Sequence, residues 1–290
     1  MGKLVRVITE DGAVLASAMD STDAVSEIEK IHKTSAVVTA AMGRLATGAA
    51  LIGSMMKEAG TSVTLRVDGG GPTGAIIAVS DKEGNVRACV GNPVVELPLN
   101  PQGKLDVGGA VGSDGLLSVI KDYGRGVPQT GYCHLVTGEI GDDITEYFAS
   151  SEQIPTVCAL GVLVNPDLTV KAAGGFLLQL LPGASDATID IIERNLKDMP
   201  SVSSMVAENK TPLQILEAAL GGFTLQVIDE GSPCYLCDCS KERIERALIS
   251  LGESEIQDMI EKGEDIAVKC HFCNKIYTFT KENLKKLKKL

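Results

Sequence analysis

The chain of 290 residues is 44% hydrophobic and carries a formal net charge of −11. This length is sufficient for one large domain or for two to three smaller ones. The acidic balance, the absence of Trp and an aromatic content of 3% argue against a general nucleic-acid-binding surface, because such surfaces need basic and stacking side chains.

Residues 1–60 predict a β-hairpin followed by two helices. The run LVRVITEDGAVLASA alternates around Asp11-Gly12, which is a hairpin signal. Ser21, Thr22 and Asp23 can cap a helix that runs to about His32. The Ala-rich run SAVVTAAMGRLATGAALIGSMMKEAG then predicts a long buried helix that closes near Gly60.

Residues 62–182 predict mainly strands. Five runs rich in β-branched residues are separated by turn residues: TLRVD, AIIAVS, VRACV, LSVIKD and TVCALGVLV. GDDITEYFASSEQIP predicts a helix that ends before Pro155, and VLVNPDLTVKAAGGFLLQLL predicts a hairpin. Because strands follow strands while the helices are grouped early, the predicted fold class is α+β, not a doubly wound parallel sheet.

The chain after Pro182 changes to short amphipathic helices and then to a cysteine-rich segment. TPLQILEAALGG has Thr211 as its N-cap, Pro212 at the first helical position and Gln214 three residues after the cap, which is a capping box. Helices this short are unstable alone and must dock on another surface. We therefore expect an α+β core domain over 1–182, a helical linker over 183–230 and a small C-terminal domain over 231–290.

The chain shows no sign of a leader or of a membrane anchor. Lys3, Arg6, Glu10 and Asp11 interrupt its first apolar run, and by inspection no window reaches the about 18 apolar residues of a membrane span. We expect a cytoplasmic protein without membrane contact. Since cytoplasmic thiols stay reduced, the eight cysteines favour a metal site or reactive thiols over a resting disulfide framework.

Five of the cysteines lie close to the C-terminus, in CYLCDC and in CHFC. Cys270 and Cys273 lie between two strand-like runs, which predicts a zinc knuckle at a hairpin. The second pair of ligands has two solutions, because Cys237 has a partner at the common spacing, Cys234, and at a tighter spacing, Cys239. Both solutions place thiolates near a helix that begins after Ser240, and one cysteine is left over in either case.

Three functions fit these thiols. A plain zinc ribbon would serve as an adaptor for nucleic acid or a protein partner, and spacing alone favours this interpretation over a switch. A redox switch would exchange the metal for disulfides. A thiol oxidoreductase is a third hypothesis, but no helix opens at Cys270, as a thioredoxin-type motif requires.

The combination of several motifs resembles the thirty-three-kilodalton redox-regulated chaperonins of bacteria. The motifs are Cys-Asp-Cys-Ser, then Glu-Ile-Gln-Asp-Met-Ile, then Cys-His-Phe-Cys-Asn, together with GGGPTG at 69–74, GKLDV at 103–107, GEIGDD at 138–143, SEQIP at 151–155 and AGGF at 173–176. The likeness covers most of the chain. Cys234 departs from the family pattern, and its role stays open.

The resemblance implies a redox-regulated, ATP-independent holdase that is not an enzyme. It implies one Zn²⁺ per chain, bound in the reduced state by Cys237, Cys239, Cys270 and Cys273. It further implies that oxidation forms the disulfides Cys237–Cys239 and Cys270–Cys273, that zinc leaves, and that the active form is a homodimer. Residues 231–290 would then be a zinc-binding redox-switch domain.

Unfolding of the C-terminal domain would deprive the linker helices of their docking partner. Their apolar faces would become available to unfolding client proteins. The predicted client-binding side chains are Ile189, Ile192, Leu213, Leu216 and Leu220.

Other signals favour ordinary structure. Gly69, Gly71 and Gly74 match a dinucleotide-binding spacing, but the run that follows is strand-like, which favours a hairpin with close backbone approach. Cys89, Cys133 and Cys158 lie in strand-like runs and are expected to be inert buried thiols. Cys133 and His134 point to opposite faces of a strand and form no catalytic dyad. His271 is not expected to bind metal, and the Lys-rich tail with Leu284, Leu287 and Leu290 predicts a capping helix.

Overall fold

A computed structural model describes residues 2–262 and 265–287, and these residues divide into two compact units, 1–236 and 237–290. The strands are β1 (Lys3–Thr9), β2 (Val14–Asp20), β3 (Ser62–Asp68), β4 (Ile76–Asp81), β5 (Val86–Val90), β6 (Leu116–Asp122), β7 (Gln129–His134), β8 (Thr156–Val164), β9 (Val170–Leu180), β10 (Leu225–Gly231), β11 (Ile266–Lys269) and β12 (Ile276–Phe279). The α-helices are α1 (Thr22–His32), α2 (Ala36–Gly53), α3 (Val107–Val111), α4 (Gly141–Tyr147), α5 (Asp186–Asp198), α6 (Val202–Ala207), α7 (Pro212–Ala219), α8 (Lys241–Ser250), α9 (Glu253–Lys262) and α10 (Lys281–Leu287).

The first unit is built on two antiparallel sheets, and the α+β fold class is confirmed. Within the described residues, one sheet has the order β10-β1-β2-β9-β8 and the other β5-β4-β3-β6-β7. The predicted hairpin across Asp11-Gly12 joins β1 to β2. The predicted hairpin across Asn165-Pro166-Asp167 joins β8 to β9. Strand β10 was not predicted, because its residues Leu225–Gly231 are mostly exposed and show no apolar alternation.

Helix α2 lies between the two sheets and forms the centre of the core. It packs against β8 and β9 of one sheet and against β4 and β5 of the other. Small residues make this approach possible: a side chain on Gly43 would contact Val25 and Val162 at less than 3 Å. The helix ends at Gly53 and not near Gly60 as predicted.

Helix α2 shows that the sequence-based statement about membrane-spanning windows was wrong. By length and composition α2 could cross a bilayer, although the sequence had suggested that no window was apolar enough. However, 89% of that window is buried inside the fold. A helix that covers both of its faces with two sheets has no surface left for lipid, so its hydrophobicity is explained by the core.

The turn between β3 and β4 contains Gly69, Gly71 and Gly74, and it is the hairpin that was predicted. A Cβ atom on Gly69 would lie 2.2 Å from the carbonyl oxygen of Gly112. Gly71 donates its backbone N–H to the carbonyl of Val111 at 2.9 Å. The glycines are therefore needed for contact between two backbone segments.

Of the three helices after residue 182, α6 and α7 pack on the sheet that contains β1 and β2, and α5 packs against α7. The capping box of α7 is present, since Thr211 Oγ1 accepts from Gln214 N at 3.2 Å and Gln214 Oε1 accepts from Thr211 N at 2.9 Å. Helix α7 contacts β1 and β2, and α6 contacts β8 and β9. These helices and the sheet face enclose an apolar cluster separate from the one around α2.

The second unit contains the β11–β12 hairpin and three helices. Its apolar cluster has seven buried members: Leu248, Ile256, Ile260, Tyr277, Phe279, Leu284 and Leu287. The predicted capping helix at the tail is α10, whose Leu284 and Leu287 face this cluster. Leu290 lies outside the described residues. A cluster of this size is small for a stable domain, because modules below about 70 residues usually need a metal or a disulfide.

Candidate metal centre

Four sulfur atoms of the second unit converge. The thiols of Cys237, Cys239, Cys270 and Cys273 all lie within 4.8 Å of one another. Cys237 Sγ is 3.8 Å from Cys270 Sγ, and Cys239 Sγ is 3.3 Å from Cys273 Sγ. A tetrahedral zinc site with Zn–S bonds of about 2.3 Å requires sulfur separations of about 3.8 Å. The four thiols therefore fit a tetrahedral metal ion.

The knuckle that carries Cys270 and Cys273 lies between β11 and β12, as the sequence predicts. Cys270 N donates to the carbonyl of Lys275 at 2.9 Å, and Asn274 N donates to the carbonyl of Cys270 at 2.9 Å. Asn274 has a φ of 60°, a left-handed conformation that Asn tolerates better than most residues. The turn therefore directs both thiols to the same side. His271 is exposed and is not a member of the thiol group.

The other two thiols are held by the start of α8. Ser240 caps the helix, because its Oγ accepts from Arg243 N at 3.2 Å. The Arg243 guanidinium pairs with the carboxylate of Asp238 and also donates to the carbonyl of Asp238 at 3.3 Å. Arg243 thus clamps the residue that lies between Cys237 and Cys239. The sequence had left the choice between Cys234 and Cys239 open, and the structure groups Cys239 with the other three sulfurs.

Cys234 lies in the first unit, where it is hydrogen-bonded to the side chain of Asn85. Its backbone N donates to Asn85 Oδ1 at 3.1 Å, and its thiol lies 3.4 Å from the same oxygen. Asn85 is itself held by Asp81, which accepts from the Asn85 amide at 2.9 Å. Cys234 is exposed and is not a member of the four-thiol group.

Tyr277 supports the cluster from β12. Its hydroxyl donates to the carbonyl of Cys239 at 3.0 Å and lies 3.2 Å from Cys239 Sγ. Burial opposes ionisation of Cys239, but hydrogen bonds from Tyr277 and from the neighbouring thiols outweigh it and lower the pKa of Cys239. Burial raises the pKa of Cys237 and of Cys273. Sequence reasoning missed Tyr277, although the alternation along β12 could have placed it on the buried face.

The remaining buried thiols are poor nucleophiles. Burial, assisted by the nearby carboxylates of Asp143 and Glu146, raises the pKa of Cys133 to about 11. Burial also raises the pKa of Cys158 far above its ordinary value. His134 is exposed while Cys133 is buried, so the two side chains point to opposite faces as predicted. Cys89 is only half-buried, in contrast to the prediction.

The predicted client-binding side chains lie on the docked helices, and most of them are covered in this conformation. Ile192, Leu216 and Leu220 are at most 4% exposed, Leu213 is half-buried and Ile189 is 36% exposed. The prediction omitted Ile215, which is fully buried on the same helix as Leu216. The i, i+4 spacing of Ile215 to Ala219 within the apolar run could have identified it. The apolar surface of α5–α7 is thus largely paired with the sheet.

Comparison with known proteins identifies relatives of the whole chain. A family model described as "Hsp33 protein" matches residues 2–280. A protein named "33 kDa chaperonin" from Acetivibrio thermocellus is 47% identical over 288 residues, covering 99% of this chain and 97% of the relative. A protein of the same name from Geobacillus sp. is 47% identical over 287 residues, with the same coverage. The crystal structure of the 33 kDa chaperonin (heat shock protein 33 homolog) from Thermotoga maritima matches with a TM-score of 0.89 at 38% identity, covering 99% of this chain and 97% of that one.

Proposed function

The chain belongs to the Hsp33 family and is therefore a chaperone, and from that premise we propose that it is a redox-switched, ATP-independent holdase. In the proposed cycle the reduced, zinc-bound protein is inactive. Oxidation forms disulfides, zinc leaves, and the protein binds unfolding clients. The observation that carries the proposal is the convergence of four thiols in a unit with a small apolar core.

The proposed metal is zinc, and the proposed ligands are Cys237, Cys239, Cys270 and Cys273. Four sulfur donors at tetrahedral separations suit Zn²⁺ better than the oxygen-seeking cations. Bound zinc supplies folding energy and holds all four sulfurs as thiolates. The chain orients the donors through the knuckle at Asn274, the clamp of Arg243 on Asp238, and the hydroxyl of Tyr277.

Oxidation removes the donors from the metal in pairs. Formation of each disulfide removes two electrons from two thiolates and passes them to one molecule of peroxide, which takes up two protons and leaves as two waters. The proposed pairs, Cys237–Cys239 and Cys270–Cys273, rest on the family resemblance. Two sulfur contacts in this conformation, of 3.3 and 3.8 Å, run between the two pairs. We therefore propose that the local pairing forms as the metal leaves and the two chain segments separate.

Loss of the metal would unfold the second unit. Among the described residues its apolar cluster has seven buried members, which are few for a module of this length, and structural zinc contributes about 10–16 kcal/mol to such modules. Without zinc the ordering entropy of the chain outweighs this small core. The C-terminal unit is thus proposed to fold only while its four thiols share a metal ion.

The expected docking partner of the linker helices was the C-terminal domain, but α6 and α7 dock on the sheet of the first unit. We therefore propose, as a separate step after loss of the second unit, that these helices undock from the sheet and present their apolar face. The proposed client surface comprises Ile189, Ile192, Leu213, Leu216 and Leu220, together with Ile215. In this conformation Ile192, Ile215, Leu216 and Leu220 are buried, whereas Leu213 is half-buried and Ile189 is 36% exposed. Exposed apolar area of this extent binds other apolar chains in a sequence-independent way. The active form is proposed to be a homodimer, and the proposed compartment is the cytoplasm.

The test is zinc release measured together with client aggregation. Purified reduced protein is titrated with peroxide at a mildly unfolding temperature while a chromogenic chelator reports free zinc. Light scattering of a thermally unfolding client enzyme is recorded in parallel. We expect about one zinc per chain to leave as scattering is suppressed. A protein that retains zinc, or that releases it without any effect on scattering, is not a redox-switched holdase.

A further inference from the structure

Residues 232–236, here named the strap, run from the end of β10 to the edge of the other sheet. Val86 on β5 donates its N–H to the carbonyl of Cys234 at 2.9 Å, and its carbonyl accepts from Leu236 N at 3.0 Å. Tyr235 and Val86 form a parallel bridge. The strap therefore forms a single parallel bridge beside β5, which is the edge strand of its sheet.

The strap side chains alternate as those of a paired strand do. Pro233 is buried and Tyr235 is half-buried, whereas Cys234 and Leu236 are exposed. Tyr235 packs against the apolar cluster around α2. A Cβ atom on Gly84, whose φ is +79°, would lie 3.3 Å from the Pro233 ring, so Pro233 rests directly on that glycine. The edge of β5 thus offers the backbone N–H and carbonyl of Val86 as hydrogen-bond partners. Beside them the inward side chains of Pro233 and Tyr235 occupy a recess, here named the Tyr235 slot.

Covering an edge strand normally prevents it from pairing with other chains. Further along β5, His32 Nε2 lies 2.9 Å from the carbonyl of Ala88, so the strap occupies the Val86 end of this edge. The strap is attached at one end to β10 and continues at Leu236 directly into Cys237. Loss of order after residue 236 would make the strap the last ordered segment of its unit, and such chain ends fray more readily than internal segments. The contacts that retain it include the hydrogen bonds to Val86 and Asn85 and the packing of Pro233 and Tyr235.

We propose that the edge of β5 with the Tyr235 slot binds an extended segment of an unfolding protein, and that the strap occupies this site in the reduced state. The inference rests on the proposed function, for which it supplies a second client site. The strap itself shows what the edge accepts: an extended backbone with apolar side chains at alternate positions. Backbone pairing of this kind adds a strand to a sheet without requiring a particular sequence, which suits diverse unfolded clients.

The test uses a peptide copy of residues 231–236 carrying Cys234→Ser, titrated into the isotope-labelled full-length protein. We expect the oxidised, zinc-free protein to bind this peptide with chemical-shift changes at the amides of Val86, Arg87 and Ala88. The reduced, zinc-loaded protein should bind it at least about tenfold more weakly, because the peptide must displace the strap. A peptide that also carries Tyr235→Ala should bind less tightly, and reduced, carboxymethylated α-lactalbumin should compete with the original peptide.

Two variants of the chain distinguish the effect of the Tyr235 slot on peptide affinity from that of the exposed face of the strap. Tyr235→Ala empties the slot and should raise peptide affinity of the reduced protein by about tenfold. Leu236→Ala, on the exposed face of the same strap, should leave that affinity unchanged. Thermal unfolding of both variants shows that the first unit remains folded.

Equal peptide affinity in the two redox states, or shifts that avoid β5, would overturn the edge site. If the oxidised protein suppresses client aggregation while the Val86 amide neither exchanges faster nor responds to peptide, the edge site is wrong and the holdase function stands. If aggregation is not suppressed but the Tyr235→Ala protein binds the peptide at Val86, the holdase proposal fails and the edge site stands.

Discussion

Replacing Ile215 by Ala tests whether docking of α7 keeps the chaperone closed. Ile215 is 0% exposed and belongs to the cluster between α7 and the strands β1 and β2. Removing a buried Ile side chain costs about 2–5 kcal/mol, and the higher helix propensity of Ala returns about 0.4 kcal/mol. A net loss of about 3 kcal/mol corresponds to a shift of roughly 100-fold in the equilibrium between docked and undocked helix.

The assay compares reduced, zinc-loaded proteins. Ile215→Ala is expected to suppress aggregation of a thermally unfolding client without any oxidant, whereas the parent protein does not. Hydrogen exchange of the α7 amides should accelerate by up to the same factor. Glu217→Ala is the matched control, because Glu217 lies on the exposed face of the same helix. Its effect on the free energy of unfolding should stay within about 0.5 kcal/mol.

The reasoning is refuted if α7 undocks and the reduced protein gains no chaperone activity. If exchange rises throughout α7 in Ile215→Ala and the reduced protein still fails to protect the client, undocking of α7 does not create the client surface. Activity with fully protected α7 amides would place that surface on another part of the chain.

Three further predictions concern other sites. Tyr277→Phe removes the hydroxyl near Cys239 and should lower zinc affinity about tenfold, measured against a competing chelator; unchanged affinity would show that the hydroxyl does not support the ligand. Burial would raise the pKa of Glu152, but hydrogen bonds from Lys121 and Tyr147 outweigh it and hold that pKa below 4.5. Because the pKa of Glu152 is lower in the folded than in the unfolded protein, its ionised carboxylate stabilises the fold fully above pH 4.5. This stabilisation is lost as the pH falls through the pKa of the folded protein. Glu152→Gln should therefore lower the free energy of unfolding, measured with urea, by roughly 1–2 kcal/mol at pH 7 and by less below about pH 4. A decrease that does not depend on pH would contradict this. Iodoacetamide at pH 8 should label Cys234 in the native, zinc-loaded protein and leave Cys133 and Cys158 unlabelled until denaturant is added, since both are buried with raised pKa values; native labelling of Cys133 would show that its strand opens.

Local features of the fold were predictable where neighbouring residues decide the structure. The Asp11-Gly12 hairpin, the α7 capping box and the knuckle at Cys270 each depend on interactions over a few residues. Boundaries were less predictable. Helix α2 stops at Gly53, where a Cβ atom would collide with the carbonyl of Asp81 on β4, so its end is imposed by the packed sheet.

The sequence by itself determined the chemistry of this protein: five thiols near the C-terminus, spacings that suit a tetrahedral metal, and helices too short to stand alone. Tertiary structure decided which thiols meet, because CYLCDC contains two admissible pairs and only long-range packing moves Cys239 beside Cys273 and leaves Cys234 on Asn85. It also decided that Leu216 and Ile215 are covered and that the strap pairs with Val86. Pairing between distant segments depends on the path of the whole backbone, which a pattern of neighbouring residues does not specify.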